Sequence, residues 1–169
     1  MNNYYCQQQF VVLVDENDQI IGQAEKWQAH KNKLLHRGFT LIMNYDQQTI
    51  FQYRRHPVFD KCYDMSFSSH QLISGDKIQS DKEAILMGLK REWNLEEVDL
   101  RSELKFISKI NYQAHDPNSR YWEHEIDYIY QVELKKLPSV NPEYAYGFEL
   151  QLQKPLAPWV EKILEINKA

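Results

Sequence analysis

Residues Trp122-Glu123-His124-Glu125-Ile126-Asp127 alternate in chemistry with a period of two. That is the side-chain period of a β-strand. Glu123, Glu125 and Asp127 then share one face, and Trp122, His124, Ile126 and Tyr128 share the other. Trp122 and Ile126 suit a core, which leaves the carboxylates together on the opposite face. Carboxylates so placed repel each other unless water or a cation intervenes. The strand therefore implies either a solvated sheet face or a metal site. His30, His36 and His70 lie upstream. Imidazole with carboxylate suits zinc, manganese or an iron-type ion, and magnesium where oxygens dominate. Spacing alone does not decide, because ligands this far apart match no short metal motif.

The chain has 169 residues, enough for one domain with a real core, and we expect a single domain over 1–169. A hydrophobic content of 43% with 13% aromatics excludes disorder. Net charge is −4 and no basic block occurs, which disfavours nucleic acid as a partner. The longest purely aliphatic run, Val11–Val14, is too short to span a bilayer. The first residues lack a basic and an apolar region, so no secretory signal is expected. Cys6 and Cys62 make no disulfide framework. A reducing, cytoplasmic setting is the default expectation.

Phe10–Val14, the turn Asp15–Asp18 and Gln19–Ala24 read as a hairpin. Lys26–Lys31 reads as a short helical turn or loop. Phe39–Asn44 and Thr49–Tyr53 read as a second hairpin, and Phe59–Gly75 as irregular. Ser80 with Glu83 fits a capping box, followed by Ile85, Leu86, Leu89 and Trp93 at helical spacing. Glu92 falls near the apolar side of that helix, where a carboxylate needs a cation, backbone donors or an outlet to solvent. Glu103–Ala114 and Tyr121–Leu134 read as longer strands, Leu137–Pro142 as a loop, and Ala157–Asn167 as a final helix with Pro158 in its first turn. Strands dominate and helices interrupt them, an α+β or layered α/β pattern.

From about Phe10 to Trp159, the order of motifs resembles the type 1 isopentenyl-diphosphate isomerases, a branch of the Nudix-fold superfamily. Val11–Val14, Gly22 and then Glu25-Lys26-Trp27-Gln28-Ala29-His30 look like the opening strand pair and the Glu-Lys-aromatic-x-Ala-His motif. His36 is near the second histidine, Arg54-Arg55 takes the place of paired arginines, and Ser66–His70 resembles the segment ending in the third histidine. Tyr112, Asp116-Pro117, Glu123-His124-Glu125 and Ala157-Pro158-Trp159 continue the likeness.

The resemblance implies an α+β, Nudix-like α/β/α sandwich around a mixed sheet. It implies a metal site of His30, His36, His70, Glu123 and Glu125, with Glu92 helping a second cation, magnesium, bridge to a diphosphate. Lys26 and one of Arg54 or Arg55 would meet that diphosphate, with Lys61 a candidate further lysine. Ser68, Glu125, Tyr112 and Trp159 would serve the chemistry: Glu125 as acid or base hydrogen-bonded by Tyr112, Trp159 closing over an isoprenoid and facing its cation. The divalent ion would be manganese, magnesium or zinc, the partner a small isoprenoid diphosphate of isoprenoid biosynthesis, and the protein a monomer or homodimer.

Three departures stand out. Ser68 occupies the place of the family's catalytic cysteine, and a serine hydroxyl is a much weaker acid than a thiol of pKa near ~8.5. The helix Met87–Asn94 keeps only Glu92 of the Nudix box. Gly88 stands where the resemblance places an arginine one turn before Glu92. A Nudix-type diphosphate hydrolase and a non-catalytic diphosphate-binding relative remain as alternatives.

Overall fold

The structure, a computed structural model, describes residues 3–166. The elements run α1 (Asn3–Cys6), β1 (Phe10–Val14), β2 (Ile20–Glu25), α2 (Lys26–Lys31), β3 (His36–Tyr45), β4 (Gln48–Thr49), β5 (Phe51–Arg54), β6 (Phe67–Ser69), β7 (Leu72–Ser74), β8 (Lys77–Ile78), α3 (Asp81–Trp93), a 3-10 turn at Glu97–Asp99, β9 (Lys105–His115), β10 (Trp122–Glu133), β11 (Ala145–Glu149) and α4 (Pro158–Ile166). Nine strands form one sheet, with its main path β8-β7-β1-β3-β10-β9; β2 pairs with β1, and β4 and β6 pair with β3. The sheet is mixed, because β10 runs parallel to β3 and antiparallel to β9.

The β1–β2 hairpin closes where the Asp15 carboxylate accepts from the backbone of Asn17 and Gln19 and Asp18 adopts a positive φ of 63°. Aspartate is among the residues that tolerate the left-handed region, and the Asp15 carboxylate takes up the backbone donors of the turn. Helix α3 begins with the expected capping box and ends on Asn94 in the left-handed conformation.

Period-two alternation on β3 sends its side chains to two different cores. Phe39, Leu41 and Met43 pack with Ile85, Leu89 and Trp93 of α3. Ile42, on the other face, packs with Ile129 of β10, Tyr112 of β9 and Trp159, Val160 and Ile163 of α4. Trp27 of α2 leans on that second core. Helices thus cover both faces of a mixed sheet, the layering expected.

Several expectations are corrected. The parity of Trp122–Asp127 holds, but the carboxylate face is covered as well as the other. Glu123, Glu125 and Asp127 are buried; on the other face Ile126 is buried with Val12 and Val14, as expected, while Trp122, His124 and Tyr128 are half-buried. Alternation fixes which residues share a face and leaves open which face is covered. Thr49–Tyr53 does not form a full hairpin with β3. Two residues pair there, after which β5 leaves to pair with β11. The stretch Phe59–Gly75, expected to be irregular, contains β6 and β7, strands of three residues that are too short to show a period. The last helix matches its expected span through Ile166; Asn167 lies outside the described residues. No helix among the described residues is long and apolar enough to cross a membrane.

Candidate active site

Strand register assembles most of the site. Glu125 sits opposite His36 on β3 and opposite Tyr112 on β9. Glu123 comes two residues earlier on the same face. Helix α2, capped by the Glu25 carboxylate accepting from Gln28 N, carries Lys26 and His30 one turn apart. His70 follows β6 directly. Single ligand atoms of His30, His36, His70 and Glu123 all lie within 4.8 Å of one another. Glu125 completes the group, with Oε1 2.7 Å from His70 Nε2 and 3.3 Å from His36 Nε2. All five side chains are buried.

The outer hydrogen bonds orient the imidazoles. His36 Nδ1 donates to Leu34 O at 2.8 Å, so its Nε2 presents a lone pair inward. His30 Nδ1 lies 2.9 Å from Trp122 O and so donates there. Backbone carbonyls that fix a tautomer in this way are the usual second layer around a metal. Glu123 Oε2 and His70 Nδ1 are buried with no hydrogen-bond partner. Buried polar atoms without partners cost free energy that a bound ion would recover. The donor set of three imidazoles and two carboxylates fits manganese, zinc or an iron-type ion.

The electrostatics agree with a neutral His70 and an ionised Glu125. Burial pushes His70 down to about 3, against the pull of Glu125. Burial opposes charge on Glu125 too, but the neighbouring imidazoles of His36 and His70 hold it well below the usual carboxylate range. His30 is raised, because Glu123 beside it outweighs the effect of burial.

A cleft opens beside this cluster, lined by Ser68, Tyr112, Trp159, Lys26, Arg54 and Glu92, together with His70, Glu123 and Glu125. Tyr112 donates its hydroxyl to Glu125 Oε2 at 2.7 Å, the bond expected. Ser68 Oγ donates to Asp64 Oδ1 at 3.1 Å and lies 2.7 Å from Thr40 Oγ1, which in turn is 2.8 Å from Asp127 Oδ2. The Trp159 indole N–H also donates to Asp64 Oδ1, at 2.6 Å, and Arg54 bonds Asp64 Oδ2 at 2.6 Å. One fully buried carboxylate thus ties together the serine, the indole and the arginine. The guanidinium of Arg54 is buried and held charged by that partner. The Lys26 ammonium is buried among aromatic faces, 5.0 Å from the ring centre of Trp27 and 5.6 Å from that of Tyr4. Burial lowers its pKa. Glu92 lies inside the cleft wall and not at a solvated margin: Arg91 and Gln52 hold its two oxygens at 2.7 and 3.1 Å.

Arg55 is not brought to the cleft. It is exposed, donates to Pro142 O at 2.8 Å and stacks on Tyr146 at 4.4 Å. Lys61 is likewise exposed, on the turn that closes back on Arg54. Asp64, Thr40, Arg91, Tyr4 and Tyr5 are site residues that sequence reasoning missed. Of these, Arg91 alone carried a signal, as a cation adjacent to Glu92.

No family model matches the chain. A hamster protein, Isopentenyl-diphosphate Delta-isomerase 1 of Mesocricetus auratus, is 31% identical over 185 residues, covering 91% of this chain and 80% of that protein. The Mus musculus protein of the same name is 33% identical over 147 residues, 78% of this chain and 63% of that protein. Among solved structures, a MutT NUDIX hydrolase from Burkholderia pseudomallei superposes with a TM-score of 0.60 at 15% identity, covering 78% of this chain and 96% of that one, a likeness of fold alone. Sequence likeness over most of its length, with the Nudix fold beneath it, makes this chain an enzyme of the isopentenyl-diphosphate Delta-isomerase family.

Proposed function

We propose that the protein interconverts isopentenyl and dimethylallyl diphosphates, using a divalent metal held by His30, His36, His70, Glu123 and Glu125. The observation that carries this reading is the position of Glu125. One oxygen faces the histidine cluster, and the other accepts the Tyr112 hydroxyl at the wall of the cleft that Trp159 and Ser68 also line. The metal, when bound, would fix Glu125 and keep it anionic.

In the reaction, a proton joins the terminal alkene carbon, a tertiary cation forms, and a proton leaves the neighbouring carbon on the other side. The double bond shifts and no group is lost. The site must supply an acid and a base, exclude water and tolerate positive charge. Glu125 with Tyr112 provides one proton-carrying pair. Ser68, between Thr40 and Asp64, provides a hydroxyl that donates a hydrogen bond or relays a proton. Trp159 offers a π face to the cation, at the modest strength of such contacts. Lys26 and Arg54 attract the diphosphate, with Glu92 placed to share a magnesium ion with it. A hydroxyl in place of a thiol predicts slow turnover.

Incubation of the full chain with isopentenyl diphosphate in heavy water, with magnesium and manganese, tests this directly. Deuterium in dimethylallyl diphosphate is the expected result, even where net conversion is small. Release of inorganic phosphate or pyrophosphate would favour the hydrolase reading. Tight binding with no exchange would make the protein a diphosphate-binding relative without turnover.

A further inference from the structure

Helix α3 ends with two basic residues that behave differently. The Lys90 side chain is 73% exposed, whereas that of Arg91 is 15% exposed and faces the cleft. Burying a guanidinium is costly unless its donors are used. One Arg91 Nη2 donates to Glu92 at 2.7 Å and reaches Ser69 Oγ at 3.3 Å, but its Nε is buried with no partner. The face of the guanidinium is fixed by the Tyr4 ring, whose centre is 4.1 Å away. Stacking of this kind holds the plane and leaves the edge free to donate.

The charges around it are unevenly matched. Asp64 serves Arg54, and Glu92 is shared between Arg91 and Gln52. The Lys26 ammonium, in the same cleft, rests against aromatic rings. Lys26, Arg54 and Arg91 thus converge on one cleft, whose other carboxylates, Glu123 and Glu125, belong to the histidine cluster. The helix offers no route for a further cation: a Cβ on Gly88, three residues earlier, would stand 2.3 Å from Phe67 Cε2, so no side chain fits there.

We propose that Arg91 is a phosphate-binding residue of this cleft, its unpartnered Nε–H and the Nη2–H that now reaches only Ser69 Oγ at 3.3 Å gripping two oxygens of the anionic end of the substrate. A fork of two parallel N–H groups matches phosphate in a way a single ammonium cannot. The isomerase reading supplies the identity of the anion; the geometry supplies the residue.

Calorimetric titration of inorganic pyrophosphate into the metal-loaded full chain tests it without requiring turnover. We expect Arg91→Met to weaken binding at least ~10-fold and Arg91→Lys to recover only part of the loss, because the lysine keeps charge and loses the fork. Lys90→Met should bind like the parent. In kinetic assays with isopentenyl diphosphate, Arg91→Met should raise KM by a similar factor and leave kcat within about threefold, a split that a merely structural residue would not give. Unchanged pyrophosphate affinity in a folded Arg91→Met chain would overturn the proposal, as would absence of pyrophosphate binding by the parent. A parent that binds pyrophosphate through Arg91 yet never isomerises would leave this assignment standing and remove the isomerase reading.

Discussion

The Nε2 nitrogens of His36 and His70 lie 3.2 Å apart with Glu125 Oε1 between them in reach of both. His36 commits its Nδ1 proton to Leu34 O, so its Nε2 is a lone pair aimed at another nitrogen. Two lone pairs at that distance need a proton or a cation between them. We expect one divalent ion per chain by elemental analysis. His36→Ala or His70→Ala should lower metal affinity at least ~100-fold, and chelation should lower the parent's Tm, because an ion that binds only the folded state stabilises it. Full metal content in the His36→Ala, His70→Ala double variant would sink this assignment.

Gly38 makes room for the same carboxylate. A Cβ at that position would lie 2.7 Å from Glu125 Oε2 and 2.9 Å from Oε1. The end of a glutamate side chain is flexible, so Gly38→Ala should shift the carboxylate more than the backbone. The expected outcome is at least ~10-fold weaker metal binding with little change in Tm, read by competition with a metal indicator and by thermal melting. Parent-like metal affinity would mean Glu125 does not need the space.

What could be read in the sequence was set by the range of the forces involved. Helix α3 is local: the Ser80–Glu83 box and four apolar residues at helical spacing mark it. Strands β9 and β10 are long enough for alternation to show. The pairing of β5 with β11 joins segments some 90 residues apart and leaves no local trace. The histidine–glutamate cluster was legible through resemblance, whereas Asp64 and Thr40 were not. Thr40 reaches Ser68 only because β3 and β6 pair in that register, and Asp64 turns inward from a loop without a period. Alternation on β10 left open whether its carboxylate face was solvated or covered, for a related reason. A glutamate pair looks solvated until α2 and the histidines close over it.

Ser68 holds the position where the proton carrier is expected, and Asp64 fixes its direction. Ser68→Cys should raise isopentenyl-to-dimethylallyl conversion by ~10-fold or more, within the range of general acid–base effects. Asp64→Asn tests the support. It strips the charge partner from buried Arg54 and turns one of the two acceptor oxygens into a donor, at a cost of about 3 kcal/mol. No gain in a folded, metal-loaded Ser68→Cys chain would show that the pocket differs from the family by more than this residue.

Asp18 anchors the outer face of the sheet. Its carboxylate meets Arg37 Nε at 2.7 Å, Lys109 Nζ at 2.8 Å and the Tyr128 hydroxyl. Burial works against its charge, but these three donors win and its pKa is lowered from 3.8. A lowered folded pKa means the unfolded chain takes up a proton first as pH falls. The stabilisation is therefore complete above about pH 5 and is lost as pH drops through the folded value, below 3.8. Asp18→Asn should cost about 2 kcal/mol at pH 7 in urea unfolding, with the gap narrowing below pH 4. An equal gap at pH 7 and pH 2 would remove the carboxylate as its source.

Gly88 is a packing requirement of α3 against β6. The helix passes so close to Phe67 that an added Cβ would stand 2.3 Å from Cε2 and 2.8 Å from Cζ. Phe67 is fully buried within the core formed with Leu89 and Trp93, so its ring has no free space to move into. Alanine is the better helix former by roughly 1 kcal/mol. Gly88→Ala should nonetheless destabilise by about 1–3 kcal/mol, because overpacking outweighs the propensity gain. Phe67→Leu should relieve it: the double variant should be more stable than the sum of the two single effects predicts, a coupling measurable by a thermodynamic cycle. Additive effects would place the constraint on Gly88 elsewhere. The same crowding means that Gly88→Arg cannot supply the cleft with a further cation, which leaves that role to Arg91.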